Sequence, residues 1–270
     1  MPWFSGLQKN KIKAALIIER LNKIAEFDLE ERLSRAEPLL KKEGIEKVKK
    51  AHVAVFGLGG VGSWCAEALV RSGVGEISLI DQDRVEESNI NRQLLADYKT
   101  LSKLKTSAMA ERLLVINPEL RVHEYPERFD LGSSDKYDFS IFDYVADCID
   151  MVSAKLLLIK KAFEADCKII SSMGMGNKLN AEQIRSSKLS KTEACPLARV
   201  MRRELKKLGV DISRLNVVYS PEETKGERTG ESAEGRGRPL PSSVIWVTGT
   251  AGFLMAQRII LDLSGVYNRE

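Results

Sequence analysis

His52-Val53-Ala54-Val55-Phe56-Gly57-Leu58-Gly59-Gly60-Val61-Gly62-Ser63 is the stretch on which the fold turns. Residues 52–56 form a short run, rich in apolar and β-branched side chains, that predicts a strand stopping at Gly57. Small and apolar residues then recur at helical spacing over 63–70, and Gly73-Val74-Gly75 separates that helix from a second apolar run at 76–80. The order strand, glycine turn, helix, strand places G-x-G-x-x-G where it can bind a phosphate. Glycine lets the backbone turn tightly and approach the anion, and the helix N-terminus offers unpaired N–H groups. Gly57, Gly59 and Gly62 are therefore the expected nucleotide loop. Asp81, 24 residues beyond Gly57 at the end of the second strand, is the expected acceptor for ribose hydroxyls. The alternative is a glycine turn that serves only helix–strand packing.

A glycine loop of this kind suits either a dinucleotide used for hydride transfer or ATP used for adenylation. The following segment favours ATP. Asp81-Gln82-Asp83 leads into Asn89-Ile90-Asn91-Arg92-Gln93, and Lys105 opens the next helix. Arg92 and Lys105 there would meet triphosphate charge, and a fixed guanidinium stabilises negative charge developing on a transferring phosphorus. A capped, solvated helix start is the plainer reading of the same cluster. Asp147-Cys148-Ile149-Asp150 follows an expected strand at 142–146, and in doubly wound sheets ligands sit at the carboxyl ends of strands. Asp150 is placed to hold Mg²⁺ beside the phosphates, or else to cap the helix expected over 152–165.

Outward from this centre, a helix is expected over 104–116, strands over 120–125 and 168–172, and apolar sequence again over 244–263. Strands alternating with helices predict an α/β fold, a mostly parallel sheet flanked by helices. Residues 1–50 read as an N-terminal helical arm, with Ile12, Leu16, Leu21 and Ile24 on one face, ahead of a domain over 51–270. Residues 222–241 are almost devoid of apolar side chains and are expected to form a mobile loop.

Among the 270 residues, 43% hydrophobic and 30% charged content excludes a fibre or a disordered chain. The longest uncharged apolar run, 242–257, is too short to span a bilayer, and the four cysteines form no C-x-x-C pair, so a cytoplasmic protein with no membrane segment is expected. The net charge of +4 is small, but residues 185–207 hold eight basic and two acidic side chains. Their helical core, 196–208, turns Leu197, Val200, Met201, Leu205 and Leu208 inward and Arg199, Arg202, Arg203, Lys206 and Lys207 outward, a face for RNA or simply for solvent. His52 and His123 are expected to be structural or exposed, and Cys195 to sit beside a helix-starting proline.

Arg32-Leu33-Ser34-Arg35, the glycine loop, D-x-D at 81–83, N-I-N-R-Q at 89–93, Lys105 and D-C-I-D at 147–150 together resemble the ubiquitin-activating-enzyme-like adenylyltransferases, the ThiF/MoeB group. The stretches 191–205 and 217–222 are similar to the subfamily that dehydrates threonylcarbamoyladenosine in tRNA. The resemblance, over roughly residues 30–265, implies a ThiF-type Rossmann-like domain using ATP and Mg²⁺. Within it Asn89, Arg92, Gln93 and Lys105 surround the phosphates, and Asp150 lies at the metal. Arg35 matches an arginine supplied across a homodimer. The implied reaction is ATP-dependent cyclisation of threonylcarbamoyladenosine through an acyl-adenylate, with modified tRNA as partner and a sulfur-relay protein as a further one. The alternative within the group is activation of the C-terminus of a sulfur-carrier or ubiquitin-like protein, and the missing C-x-x-C pairs imply no structural zinc of that type. A nucleotide-sensing protein without turnover is the non-enzymatic alternative.

Overall fold

The computed structural model describes residues 29–223 and 242–266. The helical periodicity read at Ile12 to Ile24 and the body of the loop expected at 222–241 lie outside the described residues. The chain divides into a small unit, residues 1–39, and a large one, residues 40–270. In the small unit α1 (Leu29–Leu33) is followed by a turn carrying Arg35, whose side chain is exposed, and α2 (Glu37–Leu40) ends at the division.

In the large unit α3 (Lys42–Lys50) leads into β1 (His52–Phe56), which runs parallel to β2 (Glu76–Ile80), with His52 opposite Glu76 and Phe56 opposite Ile80. The further strands are β3 (Arg121–Tyr125), β4 (Tyr144–Asp147), β5 (Ile169–Ser172), β6 (Arg185–Lys188) and β7 (Asn216–Tyr219). Their order across the sheet is β3-β2-β1-β4-β5-β7-β6, parallel except where β6 runs antiparallel to β7. The mostly parallel α/β sheet expected from the alternation of elements is thus present. The order reverses between β1 and β4, which opens a crevice at their carboxyl ends, where the glycine loop leaves β1.

Alternation along the strands divides the core. Val53, Val55, Ile77 and Leu79 face α4 (Gly62–Arg71), α5 (Lys105–Ile116) and α8 (Ile245–Ser264). Ala54 and Phe56 face α6 (Val152–Glu164), α7 (Pro196–Lys207) and an aromatic group of Phe129, Tyr137, Phe139 and Phe142. The long helix α8 packs on α4 so closely that a Cβ on Gly252 would lie 2.6 Å from the Val61 carbonyl oxygen.

Two expectations shift. β4 begins at Tyr144 because Phe139–Ile141 makes a tight turn that Phe142 closes with its N–H, while Asp143 exchanges hydrogen bonds with the His52 backbone. β6 gave no strand signal, since Arg-Ser-Ser-Lys carries no apolar alternation; pairing with β7 makes it a strand. At the expected start of the loop Glu222 is instead buried, its carboxylate accepting from the Leu179 and Asn180 amides.

Candidate active site

Gly57 sits at φ +89, and a Cβ there would lie 2.8 Å from the Cys148 carbonyl oxygen. This glycine is required both by the turn and by its contact with the segment after β4. Gly62 is more tightly enclosed, a Cβ meeting the Gly57 carbonyl oxygen at 1.8 Å, whereas one on Gly59 would meet nothing within 4 Å. Packing therefore explains Gly57 and Gly62. At Gly59 the loop stands open, leaving room for an anion at the amino end of α4.

A chain of hydrogen bonds joins this loop to the following motifs. The Leu58 amide donates to Asp81 Oδ2 at 2.6 Å, and the Asp83 amide donates to Asp81 Oδ1 at 2.8 Å. Burial pushes the Asp81 carboxyl up, against the opposing charge of Lys105 and those two N–H donors. Lys105, its own side chain buried, donates from Nζ to Asp83 Oδ2 at 2.9 Å. D-x-D and the lysine, 22 residues apart, are thereby one electrostatic unit.

On the other side of the loop, Ser63 Oγ donates to the Gly59 carbonyl at 2.7 Å and accepts from the Leu94 amide at 3.1 Å. Trp64 Nε1 donates to the Arg92 carbonyl at 3.0 Å. These bonds bring N-I-N-R-Q against the first turn of α4. Asn89 is buried and its Oδ1 accepts from the Glu86 amide, closing the tight turn ahead of Arg92. The Arg92 guanidinium reaches only its own turn, donating to the Ser88 carbonyl at 2.7 Å and to Asn91 Oδ1 at 2.8 Å. Gln93 is buried, and its Oε1 has no hydrogen-bond partner among the described residues.

Asp150 follows the segment that touches Gly57, and it is exposed, with no hydrogen bond or ion pair among the described residues. The N-cap of α6 is Met151, without a side-chain cap, so the helix-capping reading of Asp150 does not hold. Sequence reasoning missed what lies beneath this turn. Asp147, fully buried, accepts from Lys155 Nζ at 2.8 Å and from Ser171 Oγ at 2.6 Å, and takes the Ile149 amide on its other oxygen at 3.2 Å. A lysine within the apolar pattern of α6 was the available signal.

Arg35 belongs to the small unit. Cys195 is buried in the core at the start of α7, which supports the structural reading of that cysteine, and all four cysteines are free thiols. On α7 the expected faces need two corrections. Leu208 is 47% exposed because the helix ends before it. Arg202 is partly buried rather than outward, since its guanidinium holds the Thr192 carbonyl at 2.8 Å. Among the described residues no helix is long and apolar enough to cross a membrane.

The ThiF family model matches residues 32–268. The chain is 37% identical over 247 residues to a tRNA threonylcarbamoyladenosine dehydratase of Bacillus subtilis, covering 85% of this chain and 93% of that one. It is 36% identical over 234 residues to the dehydratase of Haemophilus influenzae, covering 81% and 87% respectively. Its fold is similar to the Escherichia coli tRNA N6-threonylcarbamoyladenosine dehydratase solved in complex with ATP, with a TM-score of 0.78 and 30% identity over 87% of this chain and 95% of that chain.

Proposed function

We infer the reaction from the premise that the chain belongs to the ThiF family: it is an ATP-dependent dehydratase that cyclises threonylcarbamoyladenosine in tRNA. The observation that carries this reading is the bonded circuit from Leu58 through Asp81 and Asp83 to Lys105, in a chain similar to such dehydratases over more than four fifths of its length.

ATP lies with its phosphates against the open backbone at Gly59 and its ribose at Asp81, whose two oxygens are already oriented by backbone amides. Arg92 and Lys105 meet the phosphate charge, Gln93 keeps a side-chain oxygen free to accept from a hydroxyl or N–H of the nucleotide, and Asn89 holds the turn that aims them. The substrate carboxylate attacks the α-phosphorus; a new P–O bond forms, the bond to the β-phosphate breaks and pyrophosphate leaves. A nitrogen of the threonylcarbamoyl group then closes on the activated carbonyl, loses its proton and expels AMP. Ring closure is intramolecular, so proximity supplies much of its rate and no cysteine nucleophile is needed.

Asp150 fits a magnesium ion, because an exposed carboxylate without a partner among the described residues is the donor that a hard cation combines with phosphate oxygens and water. When bound, the ion neutralises phosphate charge. The protein acts as a homodimer, with Arg35 reaching the site of a second copy. Its place in a separate unit and the exposed Trp246 and Phe253 on α8, 54% and 52% accessible, support this. The tRNA lies along the basic face of α7. The cytoplasm suits four unpaired cysteines, while a sulfur-relay partner finds little support in thiols that are buried or half-buried.

The test is pyrophosphate release from ATP with threonylcarbamoyladenosine-modified tRNA, with sulfur-carrier protein, or with neither. Release with the modified tRNA alone supports the dehydratase. Release with the carrier alone establishes the carrier-activating alternative, and no release in any arm leaves a nucleotide sensor.

A further inference from the structure

At the far end of the same strands, roughly 13 Å from the glycine loop at about 3.3 Å per residue, three side chains distant in sequence converge. His52 opens β1, Glu76 opens β2 directly opposite it, and His123 lies in β3 opposite Ser78. Laterally paired residues of parallel strands share a face, and so do residues two apart in one strand. His52, Glu76, Ser78, Arg121 and His123 therefore all stand on one side of the sheet. One ligand atom each from His52, Glu76 and His123 lies within 4.8 Å of the other two, the one such group among the described residues.

We propose that His52, Glu76 and His123 form a binding site for a divalent transition-metal ion of the zinc class. Two imidazoles and one carboxylate are the donors that such ions prefer, whereas Mg²⁺ and Ca²⁺ take oxygen ligands. His52 Nδ1 and Glu76 Oε1 are 3.6 Å apart. Two ligands at about 2.0–2.2 Å from a tetrahedral ion stand roughly 3.3–3.6 Å apart. His123 Nε2, 2.8 Å from the same oxygen in a hydrogen bond, must withdraw by about 0.5 Å to suit that geometry. Its side chain is 43% exposed on the edge strand and has room to do so. The neutral His123 ring then carries its proton on Nδ1 and turns the Nε2 lone pair to the ion.

The surroundings have the form of an outer shell. His52 Nε2 is 2.9 Å from Ser78 Oγ; when that nitrogen donates, Nδ1 presents its lone pair toward Glu76. Arg121 Nη2 holds Glu76 Oε2 at 2.5 Å, which leaves Oε1 toward the histidines. The Asp143 carboxylate takes the His52 amide at 2.8 Å, and Phe142 packs edge-on against the His52 ring at 4.9 Å. Three protein ligands leave a fourth position for water. The ion ties the edge strand β3 to β2 and β1, and its role is to stabilise the sheet rather than to meet the nucleotide.

The test uses the full chain without an affinity tag, stripped of metal by a chelator. Co²⁺ is titrated with its visible ligand-field absorption as readout, Zn²⁺ by displacement of Co²⁺, and the unfolding midpoint is recorded with and without Zn²⁺. The expected result is one tight equivalent with an absorption of tetrahedral type and a raised midpoint. Ser78→Ala should weaken binding about 10- to 100-fold, the effect of losing an outer-shell partner, and His123→Ala by more. His123→Gln keeps a hydrogen-bonding group near Glu76 but should bind as poorly as His123→Ala. Asp150→Asn, at the other end of the strands, should bind as the wild type does. Absence of Co²⁺ absorption and of a Zn²⁺-dependent midpoint in the wild type overturns the proposal, and so does undiminished binding by either His123 variant.

Discussion

Lys155 Nζ donates to the Asp147 carboxylate at 2.8 Å with both side chains wholly shut off from water, directly beneath the turn that carries Asp150. A buried ion pair adds little net stability, yet breaking it strands a charge. Lys155→Met should therefore cost about 3–5 kcal/mol in denaturant unfolding. Adding Asp147→Asn, whose one carbonyl oxygen can still accept from the Ile149 amide while its NH2 donates to Ser171 Oγ, should recover part of that loss. Equal stability of the single and double variants would mean that no charge is stranded.

The loop glycines should separate packing from ligand binding. Gly62→Ala collides with the Gly57 carbonyl oxygen and should cost about 3 kcal/mol or more, or prevent folding. Gly59→Ala meets nothing and its φ is not positive, so stability should change by less than about 1 kcal/mol. If the open space receives phosphate, ATP affinity of Gly59→Ala falls at least about tenfold, or about 1.4 kcal/mol. An unchanged ATP dissociation constant in calorimetry would place the phosphates elsewhere.

Asp150→Asn should leave the unfolding midpoint nearly unchanged, within about 0.5 kcal/mol, because the side chain is exposed and caps nothing. Its pyrophosphate release should need a higher Mg²⁺ concentration. A Mg²⁺ titration superimposable on that of the wild type excludes this carboxylate as a ligand.

Glu67 joins α4 to α5, accepting from Arg71 Nε at 2.8 Å and from the Arg112 guanidinium. Burial pushes its carboxyl up, but the two arginines outweigh this and hold it below the ordinary carboxylate value. A carboxyl depressed in the folded state contributes stability that is complete above the unfolded value, about 4.3, and is lost as pH falls through the folded one. Glu67→Gln should thus be less stable than wild type by about 1–2 kcal/mol at neutral pH. The difference should close in acid; a gap independent of pH, measured by denaturant titration, would contradict the ion pair.

For the tRNA face, Arg202 is excluded because it holds Thr192. Arg199, Arg203 and Lys206 are exposed on α7, and replacing all three by Gln should leave ATP affinity intact. Affinity for tRNA should fall most at low salt, with the log-log salt slope flattened by about 0.7–0.9 for each phosphate no longer neutralised. Identical salt titrations would return this helix to the role of a solvated face.

Local order was legible at residues 52–81 because strand, glycine turn and helix are short-range patterns: β1 and β2 lie at 52–56 and 76–80 as read. The polar cluster was legible only as separate motifs, because D-x-D and N-I-N-R-Q are short contiguous runs, whereas the bond from Lys105 to Asp83 spans 22 residues. β6 was not, because Arg-Ser-Ser-Lys becomes a strand only through hydrogen bonds to β7. Likewise a helix cap stood open for Asp150 beside its reading as a magnesium ligand until the backbone placed Met151 there.

By itself, then, the sequence determined the alternating α/β architecture and the glycine loop after β1, properties written in periodicity and in backbone freedom at glycine. Tertiary structure alone decided that Asp81 clamps the Leu58 amide, that Lys155 neutralises Asp147, and that His52 and His123 meet at Glu76. Such encounters depend on strand register and on which face a residue shares with its neighbours. Register is set by the packing of the whole sheet, and spacings of 24 and 47 residues between His52, Glu76 and His123 carry no local trace of it.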